Sequence, residues 1–475
     1  MEERPKSQWK RNVGYQLYAT ASTIDSTIGS ENADETIVYV EDLEKRKQAY
    51  GICGECNEPG TGWSWCQLCN AKRFKDNFKN WTSGNKVIDE FIQHSQLNAV
   101  HYTKCLEWIP FEKFQNITYI AEGGFAKIYS AELPEGIIYY WDIENQEWTR
   151  FQFDKYALKS LKNSSDICSD FLNEIKSHLQ IYLNHAVRCY GITQDPNTKE
   201  YMMVLYYCEN GNLRNYINES ETYIGYRSKI DKLRNIARGL LDIHNSGFVH
   251  KDFHSGNILF FYYPFISDLG MCQPANKRTV KEEGIYGVLP YMAPEVLRGH
   301  QYTKAADIYS FGIIMNEFLS EEIPFDDTSH DEFLAIKICK GHRPKISKYV
   351  PKLLVNLIIK CWDAEIENRP TTNELYEILK KWDREENNEL SSQIEKCDEI
   401  RLKKFESRSS KGKIMNVQTH PQAIYTSRLL NFKNLPKPVN SSDLSSFQIN
   451  SDTNHTTIQS TSANPSNELE LNEFW

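Results

Sequence analysis

The spacing of apolar residues changes character along the chain. From about Phe111 to Leu205 the apolar runs are short: Gly136 to Trp141, Thr149 to Phe153, Tyr156 to Leu161 and Tyr201 to Tyr206. Such runs predict strands. They surround one stretch, Asp170 to Tyr182, in which Phe171, Leu172, Ile175 and Leu179 recur at helical spacing. From Leu213 onward helical spacing dominates, and between Val350 and Glu406 it is carried by Leu353, Leu357, Ile358 and Cys361, then by Leu375, Ile378 and Leu379. A strand-rich part followed by a helix-rich part predicts an α+β chain of two lobes with a cleft between them. Residues 134–154 carry Ile138, Tyr140, Trp141, Trp148 and Phe151 around Asn145-Gln146, and predict an added hairpin that extends the small lobe's sheet; an aromatic face for a partner is the weaker reading.

The ends lack this patterning. From Asp25 to Glu44 there are seven acidic residues and no basic one, and Ser441 to Trp475 holds 12 Ser/Thr in 35 residues. Neither stretch offers enough apolar surface to offset its ordering entropy. We therefore expect a disordered acidic arm over 1–45 and a disordered Ser/Thr/Asn-rich tail over 409–475, with a cysteine module at 50–75, a connecting segment at 76–110, a globular domain at 111–382 and a helical extension at 383–408. The chain has 475 residues, 40% of them hydrophobic, and a formal net charge of −9, which rules out a small stapled scaffold and argues against a strongly basic nucleic-acid binder. Twelve cysteines in this length are no disulfide framework, and Met1 to Arg11 is polar where a secretory signal would be apolar. The longest apolar-aromatic run, Ile258 to Ile266, contains Pro264 and is about half the length of a membrane span. The expectation is a cytoplasmic protein, with nuclear entry left open, that binds neither nucleic acid nor membrane.

Four of the cysteines form a pattern, Cys53-Gly-Glu-Cys56, nine residues, then Cys66-Gln-Leu-Cys69. Two C-x2-C turns can aim four thiolates at one point and so supply a tetrahedral structural Zn²⁺ site, with Trp63 and Trp65 as a small core that the metal would hold together. Unrelated core cysteines and a redox dithiol pair are the rival readings. A closed four-sulfur site leaves no position for catalysis, so its role would be structural or a contact for a protein partner.

Candidate phosphate chemistry begins at Ile120-Ala-Glu-Gly-Gly-Phe-Ala-Lys-Ile128, where Gly123 and Gly124 would permit close backbone approach to phosphates, although a plain hairpin turn fits equally. Lys159 lies at a strand end, and Glu174, on the amphipathic stretch that follows, could steady its ammonium. The third cluster is Val249-His-Lys-Asp-Phe-His-Ser-Gly-Asn-Ile-Leu259, followed by Asp268-Leu-Gly270 and Ala293-Pro-Glu295. In this order and at these separations the motifs resemble those of the eukaryotic protein kinases, with most likeness to the tyrosine-kinase-like group, over about Phe111 to Trp382.

That resemblance implies the two-lobed kinase fold, with a small β-rich lobe carrying one helix and a larger helical lobe. It implies ATP and Mg²⁺ as cofactors and protein substrates as partners. Asp252 would accept the acceptor hydroxyl's proton, Asn257 and Asp268 would hold Mg²⁺, and Lys159, paired with Glu174, would contact the α- and β-phosphates. Leu205 would be the gatekeeper, Tyr206, Tyr207 and Cys208 the hinge that pairs with adenine, and Ile120, Ile128, Ala157 and Leu259 its apolar walls. Asp307 would brace the catalytic loop and Arg369 would pair with Glu295.

The chain departs from the pattern at three places. His254 stands where serine/threonine kinases usually have lysine, and Val288 where they have the threonine that contacts it. Lys251 replaces the arginine that receives an activation-segment phosphate, for which Thr279 and Tyr286 are candidates. The leading expectation is an ATP-dependent protein kinase of Ser/Thr specificity, Tyr also being open, acting in signalling. A pseudokinase scaffold with little turnover is the alternative, and RNA or ubiquitin-like binding by the cysteine module a distant third.

Overall fold

The computed structural model describes residues 8–12, 38–123, 126–161, 169–180, 185–220, 222–275, 284–384, 388–409 and 419–440. The small lobe is built on a six-stranded sheet in the order Glu107–Trp108, Cys189–Gln194, Tyr201–Tyr206, Tyr156–Leu161, Ala126–Glu132 and Gln115–Glu122. Its central strands are apolar on both faces, as expected of strands covered from both sides. Met203 and Ile192 face the helix Ser169–Gln180 through Phe171 and Ile175, while Leu158, Val204 and Met202 face Phe114, Leu133 and Ile137. The sequence-derived strands and this helix agree with the structure to within about two residues at their ends.

The large lobe is organised on the helix Lys304–Ser320, buried from Ala306 to Ser320. Largely apolar and buried all round, it is a core element, and Thr303 starts it by accepting the Ala306 amide. Around it pack the helices Tyr226–Asn245, Lys352–Cys361 and Thr372–Asp383, the last opened by a Thr371/Glu374 capping box. The helix Asn388–Ser409 inserts Leu390 and Ile394 into the same core, and its Asp398 accepts hydrogen bonds from the Tyr223 hydroxyl (2.7 Å) and the Tyr226 amide (3.1 Å).

Three expectations are corrected. The hairpin Ile137–Asp142/Glu147–Phe151 forms a separate two-stranded sheet and does not extend the main one. Its aromatic face is covered by the cysteine module: Trp148 stacks on Phe74 (4.8 Å, 18°) and leans on Trp65 (5.9 Å), and the Arg73 guanidinium lies 4.3 Å from the Trp141 ring. The aromatic face thus serves an intramolecular contact. In the acidic arm, Gln8–Trp9 pairs with Gly51–Ile52, and Asp42 caps the helix Leu43–Tyr50 by accepting the Lys45 amide at 2.9 Å; residues 13–37 lie outside the described residues. In the polar tail, residues 419–440 pack on the large lobe, because Leu430 and Leu435 enter its core and Arg428–Leu430 pairs with Ile285–Gly287. Residues 410–418 and 441–475 lie outside the described residues.

The connecting segment contributes more than a link. Its helix Lys86–Asn98 buries Ile88 and Ile92 against Phe171 and Ile175, and the Lys104 ammonium donates to the Leu179 carbonyl at 2.6 Å. The helix that carries Glu174 is therefore braced from behind by residues outside the two lobes.

Candidate active site

The loop after helix Tyr226–Asn245 takes the chain through Lys251 at φ 71°, a left-handed conformation that costs a residue with a side chain free energy. Asp307, in the first turn of the central helix, holds it there. Its carboxylate accepts the His250 amide (2.8 Å), the Lys251 amide (3.1 Å) and His244 Nε2 (2.9 Å). Asn257 closes the loop by donating its side-chain amide to the Asp252 carbonyl at 2.9 Å. Glu317, buried on the same helix, accepts from Arg214 (2.7 Å), the Tyr291 hydroxyl (2.5 Å) and Ser255 of the loop (3.1 Å). Glu317 was missed in the sequence, although a carboxylate within a largely apolar helix is a signal that it must be paired.

Asp252 is 6% exposed. Burial pushes its carboxyl up, but His254, with further help from Ser427 and His250, pulls it down to about 2, so it is ionised at neutral pH. His254 Nδ1 accepts the Gly256 amide at 3.1 Å, which leaves the Nε2 N–H facing Asp252 Oδ2, 3.6 Å away. Val288 is buried and lines the same small cavity as His254 and Asp252. Lys251 donates to Gln273 at 3.1 Å, and its ammonium lies 5.1 Å from the Tyr302 ring. Of the candidate modification sites, Tyr286 lies in the strand Ile285–Gly287, and Thr279 lies outside the described residues.

Across the cleft, the Lys159 ammonium is 2.6 Å from Glu174 and 3.0 Å from Asp268. Burial lowers the lysine's pKa, yet the Asp268 and Glu174 carboxylates together hold it above its ordinary value. Asp268 is held low in turn: burial raises it, and Lys159 more than compensates. Its side chain keeps 42% of its surface open, and it sits at φ 57°, which aspartate tolerates better than most residues. Gly270 matters here, since a Cβ at that position would come within 3.0 Å of a Glu174 oxygen.

The expected nucleotide walls are only partly assembled. Ala157, Leu205, Cys208 and Leu259 meet in one apolar group, whereas Ile128 is half-buried and Ile120 is 43% exposed. The Gly123 amide donates to the Ala126 carbonyl at 2.8 Å and closes a hairpin turn; Gly124 lies outside the described residues. The Tyr206 amide is committed to the Arg188 carbonyl at 2.9 Å.

Arg369 donates twice to Glu295, at 2.7 and 2.8 Å, and again to the carbonyls of Asp363 and Ala305. Far from the cleft, the Sγ atoms of Cys53, Cys56, Cys66 and Cys69 all lie within 4.8 Å of one another, with 3.9 Å between Cys53 and Cys69 and 3.6 Å between Cys56 and Cys66. Tetrahedral zinc with Zn–S bonds of about 2.3 Å sets its sulfurs about 3.8 Å apart, so the donor set fits.

Comparison with known proteins bears on the domain that holds this cleft. The family described as protein tyrosine and serine/threonine kinase matches residues 114–379. Relatives include the RGS domain-containing serine/threonine-protein kinase A of Dictyostelium discoideum, 29% identical over 43% of this chain and 18% of that protein. A protein kinase and PP2C-like domain-containing protein of Arabidopsis thaliana is 27% identical over 48% of this chain and 40% of its own length. The serine/threonine-protein kinase VIK of the same plant is 30% identical over 48% of this chain and 53% of its own. The alignments thus span about half or less of these relatives. With a family match over more than half of its residues and the family's motifs gathered on one cleft, the chain belongs to the protein tyrosine and serine/threonine kinases.

Proposed function

We propose that the protein is an ATP- and Mg²⁺-dependent protein kinase that transfers the γ-phosphoryl group to serine or threonine hydroxyls of protein substrates, and that it acts in signalling. The observation that carries the reading is the charged Lys159 held between Glu174 and Asp268, facing a loop that keeps Asp252 ionised. Phosphoryl transfer asks for positioned charge more than covalent help, and these groups supply it.

Asp252 Oδ2 would orient the acceptor hydroxyl and take its proton as the new ester bond forms. Lys159 would hold the α- and β-phosphates, kept from swinging by Glu174. The hard oxygen donors of Asp268 and Asn257 fit Mg²⁺, and Asp252 Oδ1, buried without a hydrogen-bond partner, is a further oxygen in need of one. When bound, Mg²⁺ would neutralise charge on the phosphate oxygens. Asn257, whose Nδ2 is fixed on the Asp252 carbonyl, would present Oδ1 to the cation.

The scaffold reading has less support, because His254 places an N–H donor beside Asp252 and the other phosphate-handling side chains are present together. We further propose that zinc bound by the four cysteines fastens the module to the aromatic hairpin. No helix among the described residues is long and apolar enough to cross a membrane. A peptide library phosphorylated by the purified chain with Mg-ATP tests the function: label on Ser/Thr acceptors is expected, and no incorporation into any peptide would overturn it.

A further inference from the structure

The polar tail returns to the catalytic aspartate. The Ser427 hydroxyl donates to Asp252 Oδ2 at 2.5 Å and lies 3.4 Å from His254 Nε2, whose proton it can accept. This is the place an acceptor hydroxyl must take, with one carboxylate oxygen to receive its proton and one N–H to steady its oxygen.

The segment is seated there by contacts on both sides of the serine. Downstream, Arg428–Leu430 pairs antiparallel with Ile285–Gly287, Leu430 and Leu435 are buried in the large lobe, and Val439 donates to the Cys339 carbonyl at 3.0 Å. Upstream, the Tyr425 hydroxyl donates to the Pro324 carbonyl at 2.8 Å and its ring stacks under Arg214 at 3.9 Å, while His330 Nδ1 bonds the Ile424 carbonyl at 2.9 Å. Neighbouring Thr426 lies exposed at a bend, while Ser427 is half-buried. The contacts on both sides thus place the Ser427 hydroxyl, and not that of Thr426, at Asp252.

We propose that Ser427 is a phosphorylation site modified by the chain's own catalytic centre in cis, with residues 419–440 as the bound substrate. This rests on the kinase reading given above, and Mg-ATP is the co-reactant. The Ser427 Oγ–P bond forms as the bond from the γ-phosphorus to the β,γ-bridging oxygen breaks. ADP leaves with that electron pair, and the hydroxyl proton passes to Asp252 Oδ2 and then to solvent. The product carries a phosphate of charge about −1.5 to −2 beside the Asp252 carboxylate, so repulsion would loosen the segment from the cleft once it has reacted.

The test uses the full chain, dephosphorylated, with ATP radiolabelled at the γ-phosphate, casein as a separate acceptor, and mapping of the label by mass spectrometry. Expected is label on Ser427 with a first-order rate constant that does not change over a hundredfold range of protein concentration, and no label on that peptide in Ser427→Ala. Ser427→Ala should still label casein, which shows that it is folded and active. Label on Thr426 in place of Ser427, or a rate that rises with protein concentration, would overturn the proposal. So would label on casein with none on Ser427, a result that leaves the kinase reading standing. Wild-type protein that labels neither casein nor itself would overturn both.

Discussion

His254 Nε2 lies 3.6 Å from Asp252 Oδ2 while Nδ1 of the same ring accepts the Gly256 amide. The backbone therefore sets both the orientation of the imidazole and the nitrogen that faces the carboxylate. Val288 is buried beside it and lines the same small cavity.

Removing that donor should cost catalysis and not folding. A hydrogen bond to a charged group is worth about 1.5–3 kcal/mol, so His254→Ala should lower kcat about 10- to 100-fold. His254→Lys should stay within about 10-fold of wild type. Steady-state kinetics on a phosphorylated peptide would check both, and an undiminished His254→Ala would remove the role assigned to the ring.

The depressed Asp252 acid makes a pH prediction. Its folded value of about 2 lies below the ordinary aspartate value, so its contribution to stability is complete above about pH 4 and is lost as pH falls through the folded value. Relative to Asp252→Asn, wild type should lose about 2 kcal/mol more between about pH 4 and pH 2 and behave alike from about pH 5 to 7. Urea midpoints across that range would show it.

Arg369 and Glu295 form a buried bidentate pair, and breaking it from one side strands a charge. Arg369→Ala should destabilise the chain by about 3–5 kcal/mol. The double variant with Glu295→Ala should cost less than the sum of the two single changes, since it leaves no unpaired carboxylate. Denaturant unfolding of the four proteins measures the coupling.

The cysteine module should bind about one zinc, and Cys66→Ser should reduce its zinc content. Because Trp148 stacks on Phe74, zinc loss should also speed amide exchange in residues 137–151, which carry no ligand. Unchanged exchange there after zinc removal would dissociate the hairpin from the module.

The candidate cleft could be read from the sequence because its motifs set particular residue types at particular separations. Lys159, Glu174, Asp252, Asn257 and Asp268 could be picked out without knowing how the lobes pack. What was hidden depended on distant surfaces meeting. Trp148 and Phe74 are each ordinary aromatics until the fold stacks them. The 76–110 stretch was read only as a connecting segment, and the position of its helix behind the Glu174 helix is a tertiary fact. Residues 419–440 looked disordered because their few apolar residues, among them Leu430 and Leu435, show no periodicity, and docking rests on pockets supplied by the large lobe.

The central claim is that Asp252 serves phosphoryl transfer in this cleft. Its most direct test is single-turnover transfer from Mg-ATP to a peptide acceptor by wild type and Asp252→Asn, with circular dichroism to show that both are folded. The account predicts transfer by wild type and a loss of at least about 100-fold in the variant; equal rates in the two proteins would contradict it.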